Sequence, residues 1–332
     1  MSKLACLVPD SFTLGILGVV TLALLLPCSG AGARVVGIGS QFAIALLFFL
    51  QGARLSRTAV LAAILHWRLH MLVVAATFVA FPLMGLALSP LSGTLFAPQV
   101  YIGLVFLCTL PSTVQASAIF TSIAGGNVSA ALCSASLSSI LGMVLTPLLA
   151  GLLLQAQGAV SLNGLGAIAL ELLLPFAAGQ LVQSKLDAWM QRHGREVRLV
   201  DRGSVLLMVY GAFSAATVSG AWSRLPAASL LALAAVDAVL LATMLAGTGF
   251  AARRFGFSRE DEIAIVFCGS KKSLVTGIPM ANALFAGSSL GLIVLPLVIF
   301  HQMQLMACAT LARRYALRQP VRIADIPLSS RH

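Results

Sequence analysis

Apolar positions in this chain do not alternate with polar ones. They run in blocks of roughly bilayer length, separated by short clusters of Arg, Gly and Pro. A helix rises about 1.5 Å per residue, so about 20 mostly apolar residues cross a hydrocarbon core of about 30 Å. Eight blocks read directly as spans: Phe12 to Pro27, Val35 to Gln51, Leu69 to Leu88, Val100 to Ala124, Val128 to Leu154, Leu162 to Gln183, Val205 to Ala221 and Ala228 to Ala251. The run from Leu274 to Leu311 holds 38 residues, about 57 Å as a helix, so it must turn back, at Gly287-Ser288-Ser289. Its first limb crosses only if it begins near Ile263, which carries Lys271 and Lys272 about 12 Å into the membrane. The pattern therefore predicts an all-α polytopic membrane protein with ten transmembrane helices. Leu55 to His70, with its arginines, reads as an interfacial helix or as a plain loop.

Basic residues sort by side. Seventeen of the 21 Lys and Arg fall in loops on one face, only Arg34 and Arg224 on the other, and Lys271 and Lys272 lie between. Short basic loops stay in the cytoplasm, so both termini are expected there, in a cell inner (plasma) membrane, which requires an even number of spans. A competing reading takes Lys3, Leu14 to Leu26 and the small residues Ser29 to Ala33 as a signal peptide, whose cleavage leaves nine spans. Composition agrees with a membrane solvent, with 59% hydrophobic residues, 9% charged residues and a mean hydropathy of +0.99. Soluble domains carry about 25% charged residues. The net charge of +11 is not a nucleic-acid footprint, because no polar domain concentrates it.

Polar groups inside the spans carry the functional signal. Glu171, Asp237 and the lysine pair each lie about ten residues into a span. A charge there costs about 2.5–3.5 kcal/mol, so each must be paired, neutral or facing water. Asp237 and a lysine could form a buried pair that only stabilises the fold, with Glu171 the alternative partner. The fourth span carries Thr109, Ser112, Thr113, Gln115, Ser117, Thr121 and Ser122, and the fifth is rich in Ser and Thr. Small hydroxyl residues serve as packing glue in lipid, but Pro111 removes a backbone donor inside the fourth span. Gly269 holds the corresponding place in the ninth, and Pro147 and Pro296 mark the fifth and tenth. Interrupted helices at matching positions point to a 5+5 inverted repeat and a secondary transporter, since unwound backbone survives in a bilayer only where it lines a cavity. The repeats are expected at 1–156 and 157–311, with a cytoplasmic tail at 312–332.

Enzymatic motifs do not survive inspection. The six cysteines occur singly and act as small apolar fillers. His66 and His70 share a helical face without an HExxH pattern, so no metal site is expected. The Gly269 run lacks the upstream glycine of a P-loop, Ala264 standing there, and Pro111 to Ser117 has no nucleophile elbow. No cofactor is expected either.

At Thr109 to Ser117, at Gly126-Asn127 and at Phe267-Cys268-Gly269-Ser270-Lys271-Lys272-Ser273 the chain resembles the bile acid:sodium symporter family. It is most similar to a divergent branch with Gly-Ser-Lys-Lys-Ser in the ninth helix. The resemblance covers essentially the whole chain. It implies a core of spans three, four, five, eight, nine and ten, a panel of spans one, two, six and seven, and crossing broken helices four and nine at the substrate site. The family's ninth helix carries a carboxylate two residues before the motif glycine and Gln-Asn two residues after it, as sodium ligands. Here Phe267 replaces the carboxylate, and Lys271 and Lys272 replace the amides. The Ser-Asn pair of span four falls on Ala116 and Ser117, and the hydroxyl ligands of span five fall near Ala131 and Ala135. Losing an anionic ligand and gaining two ammonium groups repels a cation.

The expected function is transport of an amphipathic organic anion, bile-acid-like or otherwise carboxylated or sulfated. It would proceed by alternating access of core against panel, with the coupling ion, sodium or proton, left open. Candidate binding residues are Ser112, Thr113, Gln115, Ser117, Asn127, Lys271, Lys272 and Ser273, with Glu171 and Asp237 as intramembrane charge partners. Ser112 and Thr113 stand at a half-helix N-terminus, which favours anions. A lipid- or solute-binding membrane sensor is the rival from another class. A cysteine replacing Lys271 should react slowly with a membrane-impermeant thiol reagent from either side, relative to one replacing Arg254. Equally fast labelling of both from the cytoplasm would place the lysines outside the membrane.

Overall fold

The computed structural model describes residues 11–54, 66–154, 162–285 and 289–317. Thirteen α-helices appear among the described residues, and no strand. They are α1 (Ser11–Leu25), α2 (Gly30–Arg54), α3 (Trp67–Ala75), α4 (Phe81–Ala87), α5 (Pro98–Thr109), α6 (Val114–Ile123), α7 (Val128–Leu154), α8 (Leu162–Arg192), α9 (Gly194–Val218), α10 (Ala227–Arg254), α11 (Arg259–Gly269), α12 (Leu274–Leu284) and α13 (Leu290–Leu317). A π-helical turn, Ala76–Ala80, joins α3 to α4.

Among the described residues, seven rods are long and apolar enough to cross a membrane, and α5 with α6, bent by 62° at their break, makes an eighth. Helix α1, at 15 residues, is shorter. Large apolar side chains lie outside as well as inside, among them Phe42, Leu83, Leu174, Leu231 and Phe250, as expected where lipid is the outer solvent. The chain is an all-α, multi-pass membrane protein.

Span limits differ from the hydropathy windows mainly at the polar ends. Helix α8 runs to Arg192 rather than Gln183, and α9 begins at Gly194 rather than Val205. Charged residues form helix readily beyond the hydrocarbon, and here an ion pair of 2.6 Å between Arg54 and Asp201 ties α2 to α9. The segment Arg259–Leu284 forms one rod through both lysines, as the short limb after Leu274 required, and 94% of its apolar window is buried. Residues 55–65 of the expected interfacial stretch, Gly287 and Ser288 of the expected turn, Lys3, and the tail beyond Leu317 lie outside the described residues.

Packing sorts the helices into two groups. Helices α1, α2, α8 and α9 pack on one another, α3 to α7 with α10 to α13 form the other group, and α9 against α13 and α7 against α8 join them. The tightest approach is between α2 and α8. A Cβ on Gly52 would fall on the Phe176 carbonyl, and one on Gly179 would fall on the Phe49 carbonyl. With no hydrophobic drive between helices in lipid, such backbone contact replaces it.

Gly179→Leu should force α2 from α8 and destabilise the protein by about 1–3 kcal/mol, the usual cost of overpacking, seen as a lower unfolding temperature in detergent. An unchanged temperature would show that the contact carries no stability.

Candidate functional site

Two helix breaks meet in the buried group. The chain leaves helical geometry after Thr109, because Pro111 has no N–H and biases Leu110 toward an extended conformation, φ −70°, ψ 152°. It re-enters helix at Val114, with Thr113 at the N-cap. The second break separates α11 from α12 at residues 270–273, where the Ser273 hydroxyl accepts from the Thr276 N–H at 3.2 Å and caps α12.

Each break satisfies the other. The Ser273 N–H donates to the Pro111 carbonyl at 2.9 Å, the Ser112 hydroxyl to the Cys268 carbonyl at 2.6 Å, and the Ser117 hydroxyl to the Phe267 carbonyl at 3.0 Å. Helix α7 supplies the rest: Ser138 Oγ accepts from the Ser112 N–H at 3.0 Å, and the Thr146 hydroxyl donates to the Thr109 carbonyl at 2.8 Å. Gly142 makes room for the Pro111 ring, which a Cβ there would meet at 2.7 Å. From α13, Gln304 Oε1 accepts from the Lys272 N–H at 2.9 Å, while its Nε2 donates to the Lys272 carbonyl at 2.9 Å. That amide pairs the broken backbone as a neighbouring strand would, and its Nε2 also lies 2.9 Å from His301 Nδ1.

The two lysines are fully buried and differently served. Lys272 Nζ donates to the carbonyls of Thr77, Cys108 and Leu110 at 2.9, 2.8 and 2.7 Å, and lies 4.0 Å from the centre of the Phe81 ring. Lys271 Nζ has no hydrogen-bond partner. It stands 4.6 Å from the Phe120 ring centre and 5.5 Å from that of Phe267, where cation–π attraction replaces part of its hydration. Beyond Phe267, its neighbour Tyr315 and Leu245 and Leu311 border an open cleft of about 600 Å³ between α10 and α13, with Arg253 and Arg314 among its lining residues.

Of the expected site residues, Ser112, Thr113, Ser117, Lys271, Lys272 and Ser273 come together at this crossing. Gln115 does not join them. It lies on the exposed face of α6 with Ile119 and Ile123, because the helix turns it away from the buried Ser117. Asn127 sits at the far end of α11. Its backbone N–H donates to the Glu260 carbonyl and its Nδ2 to Asp261 Oδ1, both at 2.9 Å, while its Oδ1 caps α7 through the Ala130 N–H.

The expected charge pairing is not present. Asp237 on α10 is buried with both carboxylate oxygens unpartnered, and no ion pair joins it to either lysine. Lys272 is compensated by carbonyl dipoles, which need no carboxylate. Glu171 is exposed on α8 beside Leu170 and Leu174, on a face the buried lysines do not reach.

Three of the positions that the resemblance assigns to sodium ligands, Phe267, Ala131 and Ala135, are apolar and lie in apolar surroundings. Ala131 and Ala135 pack with Ala264, Ile265 and Cys268, and the Phe267 side chain is buried against Phe120. His70 is taken by Ser134, 2.7 Å from its Nδ1. Thr77, Phe81 and Gln304 were not among the expected residues. Gln304, three residues after His301 in an apolar span, had a visible polar signal. Thr77 acts through its carbonyl, which side-chain identity does not reveal.

The profile of the SBF-like CPA transporter family matches residues 10–317. The chain is 55% identical to an uncharacterized protein of Pseudomonas aeruginosa over 94% of each chain. It is 50% identical to the Escherichia coli protein named "Putative symporter YfeH" over 92% of each. It is 32% identical to the sodium/bile acid cotransporter 7 of Rattus norvegicus over 80% of each.

Gln304→Leu keeps the volume but strips the Lys272 backbone of both partners. Each buried group left unpaired costs about 1–3 kcal/mol, so thermal unfolding should shift down clearly. Wild-type stability in this variant would mean that the amide clamp is dispensable.

Proposed function

The chain belongs to the SBF-like CPA transporter family and is a secondary membrane transporter, not an enzyme; from that premise we propose that its cargo is an amphipathic organic anion, carried without sodium. The observation that carries this reading is Lys271, a fully buried ammonium at the crossing of two broken helices with no hydrogen-bond partner. An unpaired charge in that position is costly, and an arriving carboxylate or sulfate supplies the missing partner. The half-helix N-termini at Thr113 and Ser273 point the same sign of dipole at an anion. The aromatic rings around Lys271 and the cleft beyond Phe267, walled by both apolar and polar residues, with Arg314 and with Arg253 already paired to Glu262, suit an amphipathic solute. The bile acid in the rat relative's name agrees with that class.

Of the positions the resemblance assigns to sodium ligands, Phe267, Ala116, Ala131 and Ala135 offer no side-chain oxygen, Lys271 and Lys272 carry positive charge, and the one hydroxyl, Ser117, already donates to the Phe267 carbonyl. Transport is then facilitated, exchange-type or proton-linked. Ten spans as a 5+5 inverted repeat, with both termini in the cytoplasm of an inner membrane, would let the buried group rock against α1, α2, α8 and α9 around a fixed site.

The test is uptake of labelled cholate and of a sulfated steroid into proteoliposomes, with sodium replaced throughout by choline. Saturable uptake or counterflow should persist in choline. Lys271→Met should reduce apparent affinity by about thirtyfold or more, since removing one partner of a buried charged contact costs about 2–5 kcal/mol. Strict, saturable dependence on sodium would restore the symport mechanism named for the relatives. Counterflow of neither anion would remove this cargo class.

A further inference from the structure

Lys272 and Lys271 are neighbours in sequence with opposite surroundings. Three carbonyl oxygens converge on the Lys272 ammonium, one for each N–H it can donate. The Phe81 ring lies beside it, and no carboxylate pairs with it.

Each carbonyl is free for a reason written in the sequence. In the π turn, the Phe81 N–H bonds the Ala76 carbonyl, so the next donor for Thr77 would be residue 82, which is proline. Residue 111, three after Cys108, is proline too, and the N–H of Ser112, four after it, is turned to Ser138 Oγ. Leu110 stands just past the end of α5, where carbonyls have no helical partner. The oxygens therefore gather at the negative end of the α5 dipole. That is the coordination chemistry of a monovalent cation: neutral oxygens gathered within hydrogen-bond distance of one point.

We propose that Lys272 is a tethered internal cation whose ammonium fills a carbonyl site, built by Thr77, Cys108 and Leu110, that takes a free monovalent cation once the side chain is cut away. None of these three residues is among the positions that the family resemblance assigns to sodium, although Lys272 itself stands where the resemblance places an amide ligand. The lysine acts as a positioning residue: it pins the π turn, the end of α5 and the second break to one point. The proposal deepens the sodium-free reading of transport but is measured without transport.

The experiment uses full-length protein purified in choline chloride, since choline is too bulky for the cradle. Thermal unfolding of Lys272→Ala is followed during titration with n-propylammonium, ammonium, potassium and sodium. Lys272→Met, Lys271→Ala and wild type are the controls. Lys272→Ala should unfold roughly 5 °C or more below wild type. It should recover saturably with n-propylammonium, which restores the ammonium and all three lost stem carbons, and more weakly with a small bare cation. Lys272→Met, whose side chain fills the stem's volume, and Lys271→Ala should show no such recovery.

Full stability of Lys272→Ala, or a loss that no monovalent cation reverses, would overturn the assignment, as would equal recovery of Lys271→Ala. If Lys272→Ala aggregates in choline, the same purification is repeated in n-propylammonium. A monodisperse peak there supports the site, and aggregation in both overturns it. Sodium-dependent uptake by wild type would remove the sodium-free transport reading and leave these outcomes standing. Failure of rescue would remove the cradle and leave the transport reading intact.

Discussion

A broken helix in hydrocarbon leaves backbone groups that nothing in the lipid can satisfy, and the rest of this protein is arranged around that constraint. Each orphaned group costs several kcal/mol if left bare. The two breaks answer by trading hydrogen bonds, through Ser273 to Pro111 in one direction and Ser112 and Ser117 to Cys268 and Phe267 in the other. What they cannot satisfy between themselves falls to Ser138, Thr146, Gln304 and the Lys272 ammonium. The crossing is consequently deeply buried, with 94% of the Arg259–Leu284 window inside, although both of its helices are interrupted there.

That arrangement explains why two adjacent lysines are tolerated in full burial. Successive residues of an unwound stretch point in different directions, so the pair is divided between two tasks. One ammonium is consumed by structure, with carbonyl oxygens on its three donors. The other is left in an aromatic surround with no acceptor, the state expected of a group whose partner comes from outside. Asp237, buried and also unpartnered, shows that proximity in depth does not make an ion pair. Side chains on separate rods meet only if both rods turn the right faces toward each other.

The same logic bears on the family to which the chain belongs. A bound cation between crossing helices and a lysine fixed there are alternative ways to place one positive charge near helix C-termini. The apolar cluster of Ala131, Ala135, Ile265 and Cys268 offers no side-chain oxygen at the two span-five positions. Relatedness in fold therefore carries the transporter class over to this chain more securely than it carries the coupling ion.

Much of the architecture was legible in the sequence, because bilayer thickness converts apolar run length directly into spans, and Pro111 announces a break by chemistry that no context can reverse. Even the continuation of one rod back through Lys271 and Lys272 followed from length, since Leu274 to Leu284 is too short to cross alone. The site was legible only as residue types. Asn127 and Gln115 carry the right groups but sit on the wrong turn, and Glu171 has the right depth on the wrong face, all matters of helix rotation that hydropathy does not encode. The partners of Lys272 were beyond the reach of sequence for a stricter reason. They are backbone carbonyls, which every residue possesses, and only the tertiary structure decides which three are left without an N–H and brought to a single point.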